Sequence, residues 1–167
     1  LDEIRENTLK DYEAGNRKVS EDKKRILITG CPLAGATQKL VAAIEENGGA
    51  VVCFENCIGI KSVEDLVDES KDPYEALTEK YLNIPCSVMT PNNKRGEMLE
   101  RLIKEYKIDG VVDMVLQACH TYGVETHTMK KVVNGVNETP YISIETDYSQ
   151  SDVGQIKTRV AAFIEML

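Results

Sequence analysis

Two rhythms of apolar residues alternate along the chain. Short runs rich in β-branched residues, RILITG (25–30), AVVCFE (50–55), GVVDMVLQ (110–117) and PYISIETD (140–147), predict strands. AVVCFE is apolar along its length, the pattern of a central parallel strand covered on both faces. Between these runs the apolar residues recur at helical spacing. AGATQKLVAAIEENGG (34–49) predicts a helix through Leu40, Val41 and Ile44 that stops at Gly48-Gly49. SVEDLVDES (62–70) predicts a short helix. DPYEALTEKYLN (72–83) predicts another, with Asp72 as N-cap and Pro73 at the first helical position. KRGEMLERLIKEYK (94–107) places Met98, Leu102 and Tyr106 on one face, and TYGVETHTMKKVVNG (121–135) is the next helix. The closing SQSDVGQIKTRVAAFIEML (149–167) has Ser151 as cap and a stripe of Val153, Ile156, Val160, Phe163 and Leu167. The proline-bounded IPCSVMTPNN (84–93) is irregular. The opening LDEIRENTLKDYEAGNRK (1–18) predicts a helix with a thin stripe of Ile4, Leu9 and Tyr12, followed by a polar linker.

Strands that alternate with helices predict an α/β fold: a doubly wound, flavodoxin-like domain over 25–167, with a small parallel sheet of about four strands flanked by helices. Residues 1–24 form the preceding helix and linker. The 167 residues, 42% of them hydrophobic, suffice for one core. No apolar run is long enough to span a bilayer. The charged opening is not a signal peptide, and its first residue is Leu rather than Met, so the chain reads as a piece of something longer. A net charge of −8 repels phosphate backbones and anionic lipid, which argues against nucleic acid or a membrane as partner.

Five cysteines without a secretion signal are expected as reduced thiols in a cytoplasm, and none forms a CxxC pair. Their positions change the picture. In parallel sheets, ligands sit outside the carboxyl ends of the strands. Cys31, Cys57 and Cys119 each follow a strand, and Cys86 lies in the irregular segment, which can return to the same edge. Cys53, inside a strand, reads as a small core residue. Thiols gathered at one rim suggest zinc or an iron–sulfur cluster. Structural zinc usually draws its ligands in close pairs, so dispersed thiols fit a cluster better.

Other candidates carry two readings each. GCPLAGAT, with Gly30, Pro32 and Gly35, is either a tight turn or an anion- or nucleotide-binding strand–helix turn in a cluster-free module. Glu145 and Asp147 are either an acid–base pair or residues of a helix start. His120 and His127 read as polar helix residues, since no cysteine–histidine triad is evident.

As a set, RILITGCPLAGAT, GGAVVCFENCIG, DPYEALTEKYLNIPC, IDGVVDMVLQACHTYGVE and ETDYSQSDVGQIKTRVAAFIEML resemble the C-terminal half of the 2-hydroxyacyl-CoA dehydratase and benzoyl-CoA reductase superfamily. QACHTY and the final block are the most specific. Within the superfamily, GCP, FENC and QACH look closest to the double-cubane cluster protein branch.

The resemblance implies two flavodoxin-like domains holding an oxygen-sensitive iron–sulfur cluster, [4Fe-4S] or double-cubane [8Fe-9S], with this chain as the second domain and a missing N-terminal domain as its neighbour. It implies Cys119 and Cys86 as recurrent ligands, with Cys57 and Cys31 matching the double-cubane branch. It further implies electrons from an ATP-hydrolysing iron–sulfur activator protein, a dimer, and either low-potential reduction of a small molecule or one-electron expulsion of hydroxyl from a 2-hydroxyacyl-CoA. Glu55, Glu145 and Asp147 at the rim would supply a negative field that lowers the potential. No dense basic patch follows the strands, so acyl-CoA is expected to be held elsewhere in the protein.

Overall fold

A computed structural model describes residues 1–17, 19–32 and 34–167. The elements run α1 (Asp2–Glu13), β1 (Lys24–Gly30), α2 (Ala36–Glu46), β2 (Gly49–Glu55), α3 (Ile60–Val63), α4 (Pro73–Asn83), α5 (Asn93–Glu105), β3 (Gly110–Leu116), α6 (His120–Gly135), β4 (Tyr141–Thr146) and α7 (Val153–Glu165). The four strands form one sheet, all parallel, in the order β2-β1-β3-β4. This is the flavodoxin-like arrangement. The chain winds from β1 outward to β2, then crosses back to β3, so the strand order reverses between β1 and β3.

Alternation along the strands builds the two faces. Ile26, Ile28, Val112, Met114 and Ile144 pack with Leu40 and Ile44 of α2 and Ile156, Val160 and Phe163 of α7. Leu27, Cys53, Val111 and Tyr141 pack on the opposite face with Leu99, Leu102 and Ile103 of α5 and Met129 and Val133 of α6. Each side chain two residues further along a strand returns to the same face. Helices thus cover both sides, as a parallel sheet requires.

Several expectations need correction. β2 is an edge strand, and Val51, Val52 and Phe54 are only half-buried. Its apolar run reflects packing against α2 and α5 rather than a central position. The short helix expected over 62–70 is a single turn, Ile60–Val63. The buried face of α5 is Arg95, Leu99, Leu102 and Ile103; Met98 and Tyr106 lie at its border. The cap of α7 is Asp152 rather than Ser151, and it makes no capping bond, because its carboxylate is held by Lys39 and Thr146. α1 ends at Glu13, and its Ile4, Leu9 and Tyr12 are exposed, so the helix buries nothing in this chain. The expected helix ran to Lys18, which lies outside the described residues. The Asp72 cap holds: Asp72 accepts from the Tyr74 and Glu75 amides, with Pro73 at the helix start. No helix among the described residues is long and apolar enough to cross a membrane.

Candidate functional site

Helices that lead into parallel strands begin at the carboxyl edge of the sheet, and helices that leave them begin there too. The loops after β1, β2, β3 and β4 and the start of α5 therefore meet at one rim. After β3 the chain turns through Ala118, whose φ of 63° is in the left-handed region. That turn sets Cys119 as the N-cap of α6. Burial works against a thiolate at Cys119. It is outweighed by the Thr121 hydroxyl, 3.5 Å from Sγ, by the Tyr122 and Thr121 amides and by the Cys31 thiol. Its pKa is therefore lowered, as expected for sulfur facing a helix N-terminus.

Cys31 sits across the β1–β3 junction. Its amide donates to the Met114 carbonyl at 2.7 Å, and its Sγ accepts from the Leu116 amide at 3.4 Å. It is 4% exposed and belongs to the apolar core. Burial, and beyond it the neighbouring Cys119 and Asp113, pushes its thiol up to about 12. Cys31 is thus a sealed thiol beneath the rim rather than an open one on it.

Cys57 is exposed and Cys86 half-buried. Cys86 is tied to α6: its carbonyl accepts from Asn92 Nδ2 at 2.9 Å, and the same amide group donates to Glu125 at 2.6 Å. The Tyr122 ring, one turn into α6, connects these thiols. Lys61, from the turn that carries Cys57, lies 5.9 Å from the ring centroid. Ser87, next to Cys86, faces the Tyr122 hydroxyl. Among the described residues, no three His, Cys, Asp or Glu side chains are gathered closely enough to hold a single metal ion. Cys53 is core, 6% exposed.

Beneath the rim lies a charged layer that the sequence pattern did not reveal. Thr29 is the register partner of both Glu55 and Asp113. All three point to the α5/α6 face, two residues beyond the core positions Leu27, Cys53 and Val111. Arg95 of α5, 1% exposed, lies among them: Nη2 donates to Thr29 Oγ1 at 2.8 Å, Nη1 pairs with Glu125, and Nε lies 3.5 Å from Glu55. Glu55 also accepts from Thr29 and pairs with Lys61 at 2.6 Å. Burial disfavours the Arg95 charge, but Glu55, Glu125 and Asp113 outweigh it and hold the guanidinium protonated. Asp113 accepts from Tyr141 at 2.6 Å and from Thr126 at 2.9 Å. A sequence signal existed. Thr29, Glu55 and Asp113 are polar residues at inward-facing positions of apolar runs, and Arg95 is spaced four and seven residues from Leu99 and Leu102.

A family model described as 2-hydroxyglutaryl-CoA dehydratase, D-component, matches residues 1–167. The chain belongs to this dehydratase D-component family. It is 54% identical over its whole length to the putative dehydratase subunit YjiM of Escherichia coli K12, covering 43% of that protein. It is 28% identical to the (R)-phenyllactyl-CoA dehydratase beta subunit of Clostridium sporogenes, covering 42% of it. Over 75 residues it is 31% identical to the (R)-2-hydroxyglutaryl-CoA dehydratase subunit beta of Acidaminococcus fermentans. The chain therefore spans less than half the length of the first two relatives.

Glu145 and His120 line a shallow cleft of about 250 Å³ together with Cys119. Asp147 does not line it. The Ser149 hydroxyl and amide hold Asp147 below the usual carboxylate range, which suits a turn carboxylate and not a proton donor at neutral pH. His127 is exposed on α6. In the first turn, Gly30 has φ 100° and no room for a side chain, and Gly35 has φ 77° with nothing among the described residues within 4 Å of where a side chain would start. Pro32 is half-buried beside Leu33, which lies outside the described residues. Lys39, the cation of this turn, is engaged: its Nζ donates to the Asp147 and Ser149 carbonyls and pairs with Asp152 at 2.6 Å. Glu55 was expected to supply a bare negative field at the rim. Its pairing with Lys61 and Arg95 largely cancels that field.

The donor set fits an iron–sulfur cluster in part. Cys119, its pKa lowered, opens on a cleft, Cys57 is exposed and Cys86 is half-buried. Cys31 is sealed in the core beneath them, its Sγ accepting from the Leu116 amide.

Proposed function

We propose that this chain is the cluster-holding part of a 2-hydroxyacyl-CoA dehydratase-type component or of a related low-potential reductase. The observation that carries the reading is the place of Cys119: the N-cap of α6, at the point where the strand order reverses, on a cleft lined by Glu145 and His120, with its pKa lowered. Family membership supports the dehydratase setting, and the names of the relatives supply the substrate class, a 2-hydroxyacyl-CoA.

In this reading Cys119 is the principal ligand, with Cys86 and Cys57 beside it and further ligands from the rest of the longer protein. Cys31 supports Cys119 from below as a hydrogen-bond donor. When bound, the cluster supplies electrons of low potential, one at a time, delivered by an ATP-hydrolysing activator. This chain's own residues hold the sulfur, exclude water beneath it and place the Glu145 carboxyl at the cleft, where it can exchange a proton with a hydroxyl. Lys39, Lys61 and Arg95 under the rim are each paired with carboxylates, so the phosphates of an acyl-CoA are held by the rest of the protein or by a partner subunit.

The test is iron and acid-labile sulfide content of the full-length protein, purified without oxygen. Wild type is expected to be brown and iron-loaded, and Cys119→Ser to lose most of its iron while remaining folded. Iron-free wild type, or Cys119→Ser with full iron, overturns the reading.

A further inference from the structure

A core built for stability alone would place an apolar residue where Arg95 stands. The position shares the buried face of α5 with Leu99 and Leu102, and it lies in the first turn, where the helix dipole disfavours a cation. A buried ion pair rarely adds stability over apolar packing of the same shape. Arg95 is nevertheless 1% exposed, and each nitrogen of its guanidinium meets a different part of the chain. Nη2 donates to Thr29 at the end of β1, at 2.8 Å. Nε lies 3.5 Å from Glu55 at the end of β2, and Glu55 in turn holds Lys61 beyond the Cys57 turn. Nη1 pairs with Glu125 of α6. Glu125 accepts from Asn92 Nδ2 at 2.6 Å, and the same amide group donates to the Cys86 carbonyl at 2.9 Å. The guanidinium carbon lies 4.9 Å from the centroid of the Tyr122 ring, in the first turn of the helix that Cys119 caps.

We propose that Arg95 is a positioning residue whose planar fork fixes the Cys57 turn, the Cys86 segment and the start of α6 relative to one another at the carboxyl edge of the sheet. The network sets the separations of the thiol-bearing segments and does not draw the thiols together. The fastening needs no bound group; its use in seating a cluster rests on the reading above. Lysine at this position keeps the charge but offers one ammonium in place of the fork, so it cannot serve β1, β2 and α6 at once.

The experiment is peptide-resolved hydrogen–deuterium exchange on the full-length protein without iron, as wild type, Arg95→Lys and Asn92→Ala. The amides to follow are Ile58 and Gly59 in the Cys57 turn and Met89 in the Cys86 segment, each bonded within its own loop. Arg95→Lys is expected to speed exchange in both loops by about tenfold or more, the effect of losing a bond to a charged group, and by more than in the interior of β3. Asn92→Ala cuts a single branch and should speed only the Cys86 segment. Arg95→Lys with wild-type exchange in both loops overturns the inference, and so does an equal rise along the whole chain, the mark of a merely structural charge. If Arg95→Lys does not fold, Asn92→Ala decides alone. Acceleration confined to the Cys86 segment supports the network, whereas none, or acceleration everywhere, overturns it. Iron and sulfide content of the same proteins, purified without oxygen, then tests the use in seating a cluster. Clearly less iron in Arg95→Lys than in wild type supports that use, and equal iron overturns it. Iron-free wild type removes the cluster reading alone, and the exchange result still decides the fastening.

Discussion

Lys61 Nζ lies 2.6 Å from Glu55 Oε1, with both side chains fully buried. Glu55 ends β2 and Lys61 lies in α3, so this pair fastens the turn that presents Cys57. Removing one member leaves a buried charge with reduced compensation. Lys61→Met is therefore expected to destabilise the fold by about 3–5 kcal/mol, read from the urea midpoint. Glu55→Gln combined with Lys61→Met should recover part of the loss, because the uncompensated carboxylate is gone. A loss below about 1 kcal/mol for Lys61→Met would place the pair in water-like surroundings and contradict the burial seen here.

Gly30 and Gly35 flank the first turn and both have positive φ, yet they should respond differently to alanine. A Cβ on Gly30 would lie 2.2 Å from the Met114 carbonyl oxygen and 2.6 Å from Asp113 Oδ1, while one on Gly35 meets nothing within 4 Å among the described residues. Gly35→Ala should cost about 1–3 kcal/mol, the conformational penalty of a sparsely populated φ/ψ region alone. Gly30→Ala adds displacement of β3 and should cost clearly more, with poorly soluble protein as an acceptable sign of the same effect. Equal losses in chemical denaturation would refute the close β1–β3 approach.

The contrast between those glycines marks what the sequence could and could not convey. The order of elements was legible because strand and helix periods differ, and Asp72-Pro73 announced a helix start without outside help. That Cys31, Cys57 and Cys119 follow strands was legible for the same reason. Depth was not. Cys31 and Cys57 look alike in sequence, but one is sealed by the β1–β3 junction and the other stands exposed on a turn. The edge position of β2 was hidden because its run is apolar throughout, although Val51, Val52 and Phe54 are only half-buried. The charged layer was missed because Arg95 and Glu55 lie in segments distant in sequence, and only the strand register makes Thr29, Glu55 and Asp113 neighbours.

Burial should sort the thiols by reactivity. Burial raises Cys31 to about 12 and Cys53, with Glu55 adding to the effect, to about 11. Cys57 is exposed, and Cys119 is half-buried with its pKa lowered. In native apoprotein at about pH 7.5, iodoacetamide should label Cys57, which is exposed, and Cys119, whose pKa is lowered, early. Cys31 and Cys53 should label only as the protein unfolds. Peptide-resolved mass spectrometry over a time course checks the order, and early labelling of Cys31 would show that the β1–β3 junction opens readily.

Asp113 should make stability depend on pH in the direction opposite to an ordinary ion-paired carboxylate. Burial raises its pKa, and Tyr141, Arg95 and Thr126 only partly counter this. The folded protein therefore holds the Asp113 proton more tightly than the unfolded chain does. The corresponding stability is fully present below the unfolded value, about 4, and is lost as pH rises through the folded value. Asp113→Asn removes the titration while keeping an oxygen that can accept from Tyr141 or Thr126. Relative to wild type, the variant should gain stability as pH rises from about 4, and the difference should level off above the folded pKa. Urea unfolding of both proteins across that range measures it. A difference that is flat with pH, or one that favours wild type as pH rises, would mean that Arg95 and the two hydroxyls keep Asp113 ionised throughout.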